Sequence, residues 1–171
     1  RAALKKEGIA FETICAMFVT HDHADHIKSL GVISSKANIP VYATKEVHAG
    51  INNNYCITKP VDAQYVRYVV KGEKTLFRDF EITPFEVPHD GSDNVGYFIE
   101  VAGKKFCIAT DLGHITETAS YYIDQANYLV IEANYEEQML AMGRYPEFLK
   151  VRGSGSRGHL SNQTTAKYLA S

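Results

Sequence analysis

Thr20-His21-Asp22-His23-Ala24-Asp25-His26 closes a mostly apolar run that begins at Ile14. The run lacks the alternation of a half-exposed strand, which predicts a strand over Ile14 to Thr20 buried on both faces. His21 and His23 are two residues apart, so in extended chain both side chains leave on the same side and both imidazoles can reach one ion. Asp25 and His26 follow where a helix over Asp25 to Lys36 is expected to begin, and can turn toward a second ion. Neutral imidazole and carboxylate suit zinc, and also manganese or iron. A solvated loop accounts for one such histidine, not for three at this spacing. The stretch reads as a metal-binding loop at the end of a buried strand.

Further ligands are then expected at the ends of other strands. Glu86-Val87-Pro88-His89-Asp90-Gly91 places a histidine where a strand over Phe80 to Val87 stops, and Ile108-Ala109-Thr110-Asp111-Leu112-Gly113 places an aspartate after Lys105 to Thr110. His21, His23 and His89 would hold a first ion. Asp25 and His26 would serve a second, and Asp111 would bridge the two with its two oxygens. Strands are also expected over Pro40 to Thr44, Val66 to Val70, Val95 to Val101 and Tyr128 to Ala133, with a turn at Gly103-Lys104 joining a hairpin. Helices are expected over Arg1 to Gly8, Thr116 to Ala126, Glu136 to Met142, Pro146 to Lys150 and Ser161 to Ala170. Hairpins mixed with strand-helix units give an α/β class, sheets covered by helices.

The chain has 171 residues, 18 Lys plus Arg against 20 Asp plus Glu, and a formal charge of -2. That length fits one domain, residues 1–171. The charge gives no bulk attraction to polyanions or anionic membranes, and no apolar run approaches a membrane span. Cys15, Cys56 and Cys107 are scattered and odd in number, which suits a reducing, cytoplasmic setting rather than a disulfide scaffold. Oligomeric state leaves no mark in the sequence.

The His21 to His26 cluster, His89 and Asp111 resemble the motifs of the metallo-β-lactamase superfamily, over about Phe18 to Leu169. The resemblance implies an αββα sandwich. His23 argues against the diiron redox branch, where a glutamate is typical at that position. Other blocks, Ile131 to Glu136, Met139-Leu140, Gly143-Arg144-Tyr145-Pro146, Leu149-Lys150 and Gly158-His159-Leu160-Ser161-Asn162, resemble the YycJ/WalJ-like nuclease group. Members usually carry glutamate-serine-asparagine-histidine where this chain has Glu132-Ala133-Asn134-Tyr135, so no role of that histidine passes to Tyr135. The Gly158 to Asn162 block also resembles the His-Ser-Thr segment of the tRNA 3'-processing branch. The implied activity is a metal-dependent phosphodiesterase on nucleic acid, a DNA exonuclease first. A hydrolase of small esters, thioesters or lactones on the same two metals is the alternative.

The chemistry agrees with the nuclease reading. Water activated as hydroxide between two divalent ions can attack phosphorus while the metals neutralise phosphate oxygens. His159 is the candidate donor of the leaving-group proton, just before a helix that Ser161 or Asn162 would cap, and Asp25 joins it as a catalytic candidate besides being a ligand. Glu132 and Asn134 read either as groups orienting a ligand imidazole or as polar strand ends. Asp22 and Asp90 stay outside the catalytic set, His48 and His114 are expected to be exposed, and Gly153 to Arg157 is expected to be a flexible surface loop. The superfamily places strands before its first cluster and a final histidine ligand after the His159 helix, so the chain reads as the middle of a larger domain, truncated at both ends.

Overall fold

The computed structural model describes residues 2–171. They form two compact units that divide between residues 69 and 70.

In the first unit, α1 (Ala2–Lys6) precedes three parallel strands in the order β1 (Met17–Phe18), β2 (Val41–Ala43), β3 (Val66–Tyr68). The expected Arg1 to Gly8 helix is α1, Arg1 lying outside the described residues. Parallel strands need crossovers, and the helices α2 (Ala24–Ile27), α3 (Leu30–Ala37) and α4 (Lys45–Asn53) supply them. The Ile14 to Thr20 strand is shorter than expected. Only Met17 and Phe18 pair, with Val41 and Tyr42, and at the sheet edge both are half-buried rather than covered on two faces. The single helix expected over Asp25 to Lys36 is two, because the chain restarts at Ser29, whose carbonyl accepts from Ile33. The helix α4 was not foreseen. Thr44 caps it by accepting from the Val47 amide, and Val47 and Ile51 join Ile27, Val41 and Ala43 in the core. His48, expected in solvent, is buried on this helix, with its Nε2 3.1 Å from the Arg67 carbonyl. One turn separates it from Ile51 on the buried face, which is why a lone polar residue was drawn inside.

The second unit is a five-stranded sheet in the order β4 (Thr75–Phe77), β5 (Phe80–Glu86), β6 (Val95–Val101), β7 (Lys104–Ala109), β8 (Tyr128–Ile131). The first three pairings are antiparallel, and β7 and β8 are parallel, joined through α5 (Glu117–Ile123). The β6–β7 turn sits one residue earlier than expected. Val101 pairs with Lys104, and Ala102 and Gly103 have φ of 49° and 70°, the left-handed pair a two-residue turn requires. α5 packs on β5 and β7 over Phe85, Phe98, Cys107, Ala119 and Ile123. Three helices complete the unit: α6 (Glu137–Met142), α7 (Glu147–Ser154) and α8 (Asn162–Leu169). Gly153 and Ser154 therefore close a helix instead of opening a loop.

The strand directions place the chemistry. β5 and β7 are each antiparallel to β6, hence parallel to each other, and β8 runs with β7. The C-terminal ends of β5, β7 and β8 therefore share one sheet edge, where His89, Asp111 and Glu132 follow in the sequence.

Candidate active site

In the first unit the three parallel strands also end on one edge, and the chain leaving β1 enters the histidine cluster there. His21 is buried, and its ring lies 4.6 Å from that of His23 and 4.2 Å from that of His26, centroid to centroid. The rings of His23 and His26 thus both flank that of His21. Thr20 Oγ1 is 3.0 Å from His21 Nδ1, a contact that leaves Nε2 as the nitrogen available to a ligand. Asn54, at the end of α4, donates to the Asp22 carbonyl at 3.0 Å and holds the loop from behind. Asp25 is exposed on α2, with Oδ2 3.7 Å from His26 Nε2.

In the second unit, His89, Asp111 and His159 present ligand atoms within 4.8 Å of one another. His89 is buried, with Nδ1 2.9 Å from the Gly158 carbonyl. A carbonyl only accepts, so Nδ1 carries the hydrogen and the lone pair of the neutral ring lies on Nε2. Burial pushes the His89 imidazole below its ordinary range, outweighing the Gly158 contact and the nearby carboxylates. A neutral imidazole with a fixed tautomer is what a cation requires of a histidine ligand. His89 Nε2 stands 3.6 Å from Asp90 Oδ1 and 4.0 Å from Asp111 Oδ1. Asp111 itself adopts φ of 54°, a left-handed conformation uncommon for a residue with a Cβ, at the point where the chain leaves β7.

Glu132, 8% exposed, organises this edge. Its Oε1 accepts from His159 Nδ1 at 2.6 Å and from Asn134 Nδ2 at 3.2 Å, and its Oε2 accepts from the amides of Leu112 at 2.7 Å and Leu160 at 3.2 Å. Burial alone would push this carboxyl up, but the bonds from His159, Leu112 and Leu160 prevail and hold it below the usual carboxylate range. The same bond raises His159 above the ordinary imidazole range, against the effect of its own burial. The two form a hydrogen-bonded imidazole–carboxylate pair, Glu132 buried and His159 half-buried, in which Glu132 orients a ring rather than standing as a polar strand end. Its ring partner is His159, however, and not one of the expected ligand histidines.

The segment leaving α7 wraps the same residues. Arg157 donates from Nε and Nη2 to the His89 carbonyl at 3.0 and 2.8 Å, and the His159 amide bonds the Gly153 carbonyl at 2.7 Å. Arg152 Nε donates to Asp90 Oδ2 at 2.5 Å. A Cβ on Gly113 would lie 2.3 Å from the Ser156 carbonyl, so glycine is needed where the loop after β7 meets this segment. His114 is exposed as expected, with Nδ1 2.9 Å from that same carbonyl. Ser161 caps α8 by accepting from the Thr164 amide at 3.0 Å. The Arg152–Asp90 and Arg157–His89 bonds were not foreseen. They span 62 and 68 positions and carry no local signal.

A family model described as a beta-lactamase superfamily domain matches residues 3–171, both units included. The chain belongs to the beta-lactamase superfamily. Among this superfamily member's relatives, the exodeoxyribonuclease YycJ of Bacillus anthracis is 32% identical over 169 residues, 99% of this chain and 63% of that protein. The exodeoxyribonuclease WalJ of Streptococcus pneumoniae is 31% identical over 156 residues, 91% of this chain and 58% of the relative. The chain thus spans about three fifths of the length of these relatives. The zinc-bound PqqB of Methylobacterium extorquens has the same fold, with a TM-score of 0.68 at 21% identity over 86% of this chain and 54% of that one. The expected fold class, mixed α/β with two sheets in the metallo-β-lactamase fold, is met. No helix among the described residues is long and apolar enough to cross a membrane.

Proposed function

We propose that this superfamily member is a metal-dependent phosphodiesterase acting on nucleic acid, a DNA exonuclease. The observation that carries the reading is the His159–Glu132 pair beside His89 and Asp111. An imidazole held in place there can protonate a departing alkoxide, and the choice of a phosphodiester over a small ester is supported by the exodeoxyribonucleases among the relatives. In this reading His21, His23, Asp25, His26, His89 and Asp111 hold two divalent ions, zinc first. The donor chemistry fits, since these are imidazoles and carboxylates only, and His89 is held neutral by burial. Such ions, when bound, neutralise phosphate charge and bring the ionisation of water close to neutral pH.

The chain's own groups do the rest. Glu132 accepts the Nδ1 hydrogen of His159 and favours protonation of the ring, so the proton available for transfer is one on Nε2. The amides of Leu112 and Leu160, both donating to Oε2, prevent the Glu132 carboxylate from turning away. Arg157 and the Gly158 carbonyl fix His89 from the side opposite its Nε2. The free thiols Cys15, Cys56 and Cys107 suit a reducing compartment, and the cytoplasm is the proposed location.

The test pairs zinc- or manganese-loaded protein with end-labelled duplex DNA and with a chromogenic lactone. Shortening of the DNA from its ends is expected, and turnover of the lactone alone would overturn the reading. His159→Ala should lower DNA turnover by ~10²–10⁴ with bound metal unchanged. Loss of metal instead would make His159 a ligand.

A further inference from the structure

The helices α6 and α7 bury none of their residues, which is unusual for two consecutive helices beside a catalytic edge. Large side chains stand out along this segment: Met139 is 72% exposed, Met142 79%, Tyr145 63% and Phe148 69%. Basic and aromatic residues interleave there as Arg144-Tyr145 and Phe148-Leu149-Lys150. From Glu137 to Arg157 there are four basic residues (Arg144, Lys150, Arg152, Arg157) and two acidic ones (Glu137, Glu147), a modest local excess of positive charge in a chain whose total is -2, with Arg152 paired to Asp90 and Lys150 beside Glu147.

We propose that the α6–α7 segment is a stacking platform for a single-stranded nucleic-acid end, Tyr145 and Phe148 receiving bases while Arg144 meets phosphate. This rests on the phosphodiesterase reading and names the form of substrate it takes. Flat exposed rings among cations are what unpaired bases on a polyanion require, and every base offers a face to stack. The platform is also continuous with the proposed catalytic residues. α7 runs into the segment whose Arg157 and Gly158 hold His89 and which ends at His159, and Arg152 within the helix holds Asp90. A strand lying along α7 is therefore led to the edge where β5, β7 and β8 stop.

Binding of a dye-labelled oligothymidylate to the metal-loaded chain, read by anisotropy, tests the platform. Tyr145→Leu and Phe148→Leu should each weaken binding by about 5- to 150-fold, the loss of one base stack. Tyr145→Phe should bind as the parent does, because the flat face is kept. Arg144→Gln should reduce the slope of log affinity against log salt by about 0.7. Parent protein that does not bind the single strand, or Leu variants that bind it equally well, would overturn the proposal. So would a concentration-dependent dimer, seen by sedimentation, that the Leu variants abolish. End-labelled cleavage is scored separately. Ring-dependent binding without cleavage keeps the platform and sinks the phosphodiesterase, while cleavage with equal binding by the Leu variants does the reverse.

Discussion

Replacing Glu132 by Gln exchanges one oxygen for one nitrogen in a buried side chain and leaves its volume almost unchanged. The carboxylate accepts four hydrogen bonds, two on each oxygen. The amides of Leu112 and Leu160 are buried main-chain donors and will claim the single remaining oxygen. The new NH₂ group then faces His159 Nδ1 and Asn134 Nδ2, both of which donate in the parent protein. His159 must move its hydrogen to Nε2 and accept at Nδ1, or lose the contact. Loss of a hydrogen bond to a charged group costs about 1.5–3 kcal/mol and the Asn134 mismatch about 1 kcal/mol more. The total of roughly 2–4 kcal/mol corresponds to a drop in Tm of roughly 5–15 °C for a chain of this size. Thermal unfolding followed by circular dichroism gives the stability change, and ¹⁵N-resolved histidine spectra report whether His159 Nδ1 still carries hydrogen. A variant that melts with the parent and keeps the Nδ1 hydrogen would refute the assignment of Glu132 as the group holding the ring. Turnover should fall as for His159→Ala, because the carboxylate that orients the ring and favours its protonation is gone.

Other perturbations separate the remaining groups. Burial lowers the His48 pKa from its ordinary 6.5 despite raising contacts with the Arg67 and Val41 backbone, so the unfolded chain protonates first as pH falls. Its contribution is complete above 6.5 and is lost below it, by at most about 1.4 kcal/mol per pH unit, and His48→Gln should flatten that part of a stability–pH curve measured by urea melts. A slope unchanged by the substitution would assign the acid sensitivity elsewhere. Cys107 is fully buried and its thiol is pushed up to about 12, so iodoacetamide at pH 8 should leave it unmodified in folded protein while Cys15 and Cys56 react; mass spectrometry of the adducts decides. At Asp111, φ of 54° favours glycine, so Asp111→Gly should be more stable than Asp111→Ala by about 1 kcal/mol although both lose the carboxylate. Equal melting of the two would mean that the conformation is not strained.

Legibility in the sequence followed the range of the forces involved. β5 and β6 were readable because seven-residue stretches rich in aromatic and β-branched residues sit between turn residues. β4 was not, since three residues, Thr75 to Phe77, are too few to carry a period and become a strand only by pairing with β5. β1 was overestimated for the same reason in reverse: Ile14 to Ala16 have the composition of a strand and no partner strand opposite them. α4 has a low apolar content and was hidden, although Thr44 before Val47 and Ile51 marks its start and buried face. The His21 cluster was readable from its spacing, and His89 and Asp111 from strand ends once that cluster was in hand; they do follow β5 and β7. The Glu132–His159 pair was half visible, as two polar residues near the right edge, but their bond closes over 27 positions and depends on β8 running parallel to β7.

That strand arrangement has an engineering consequence. If β5, β7 and β8 deliver their chemical groups to one edge of the sheet, the connections β4–β5 and β6–β7 turn at the other. Arg78-Asp79 and Ala102-Gly103 are two-residue turns there, with Arg78 and Ala102 at positive φ. A seven-residue strand spans about 20 Å, so both turns stand that far from His89 and Asp111. A fluorophore, an affinity handle or an inserted peptide placed at either turn would report on the protein without approaching His89, Asp111 and Glu132.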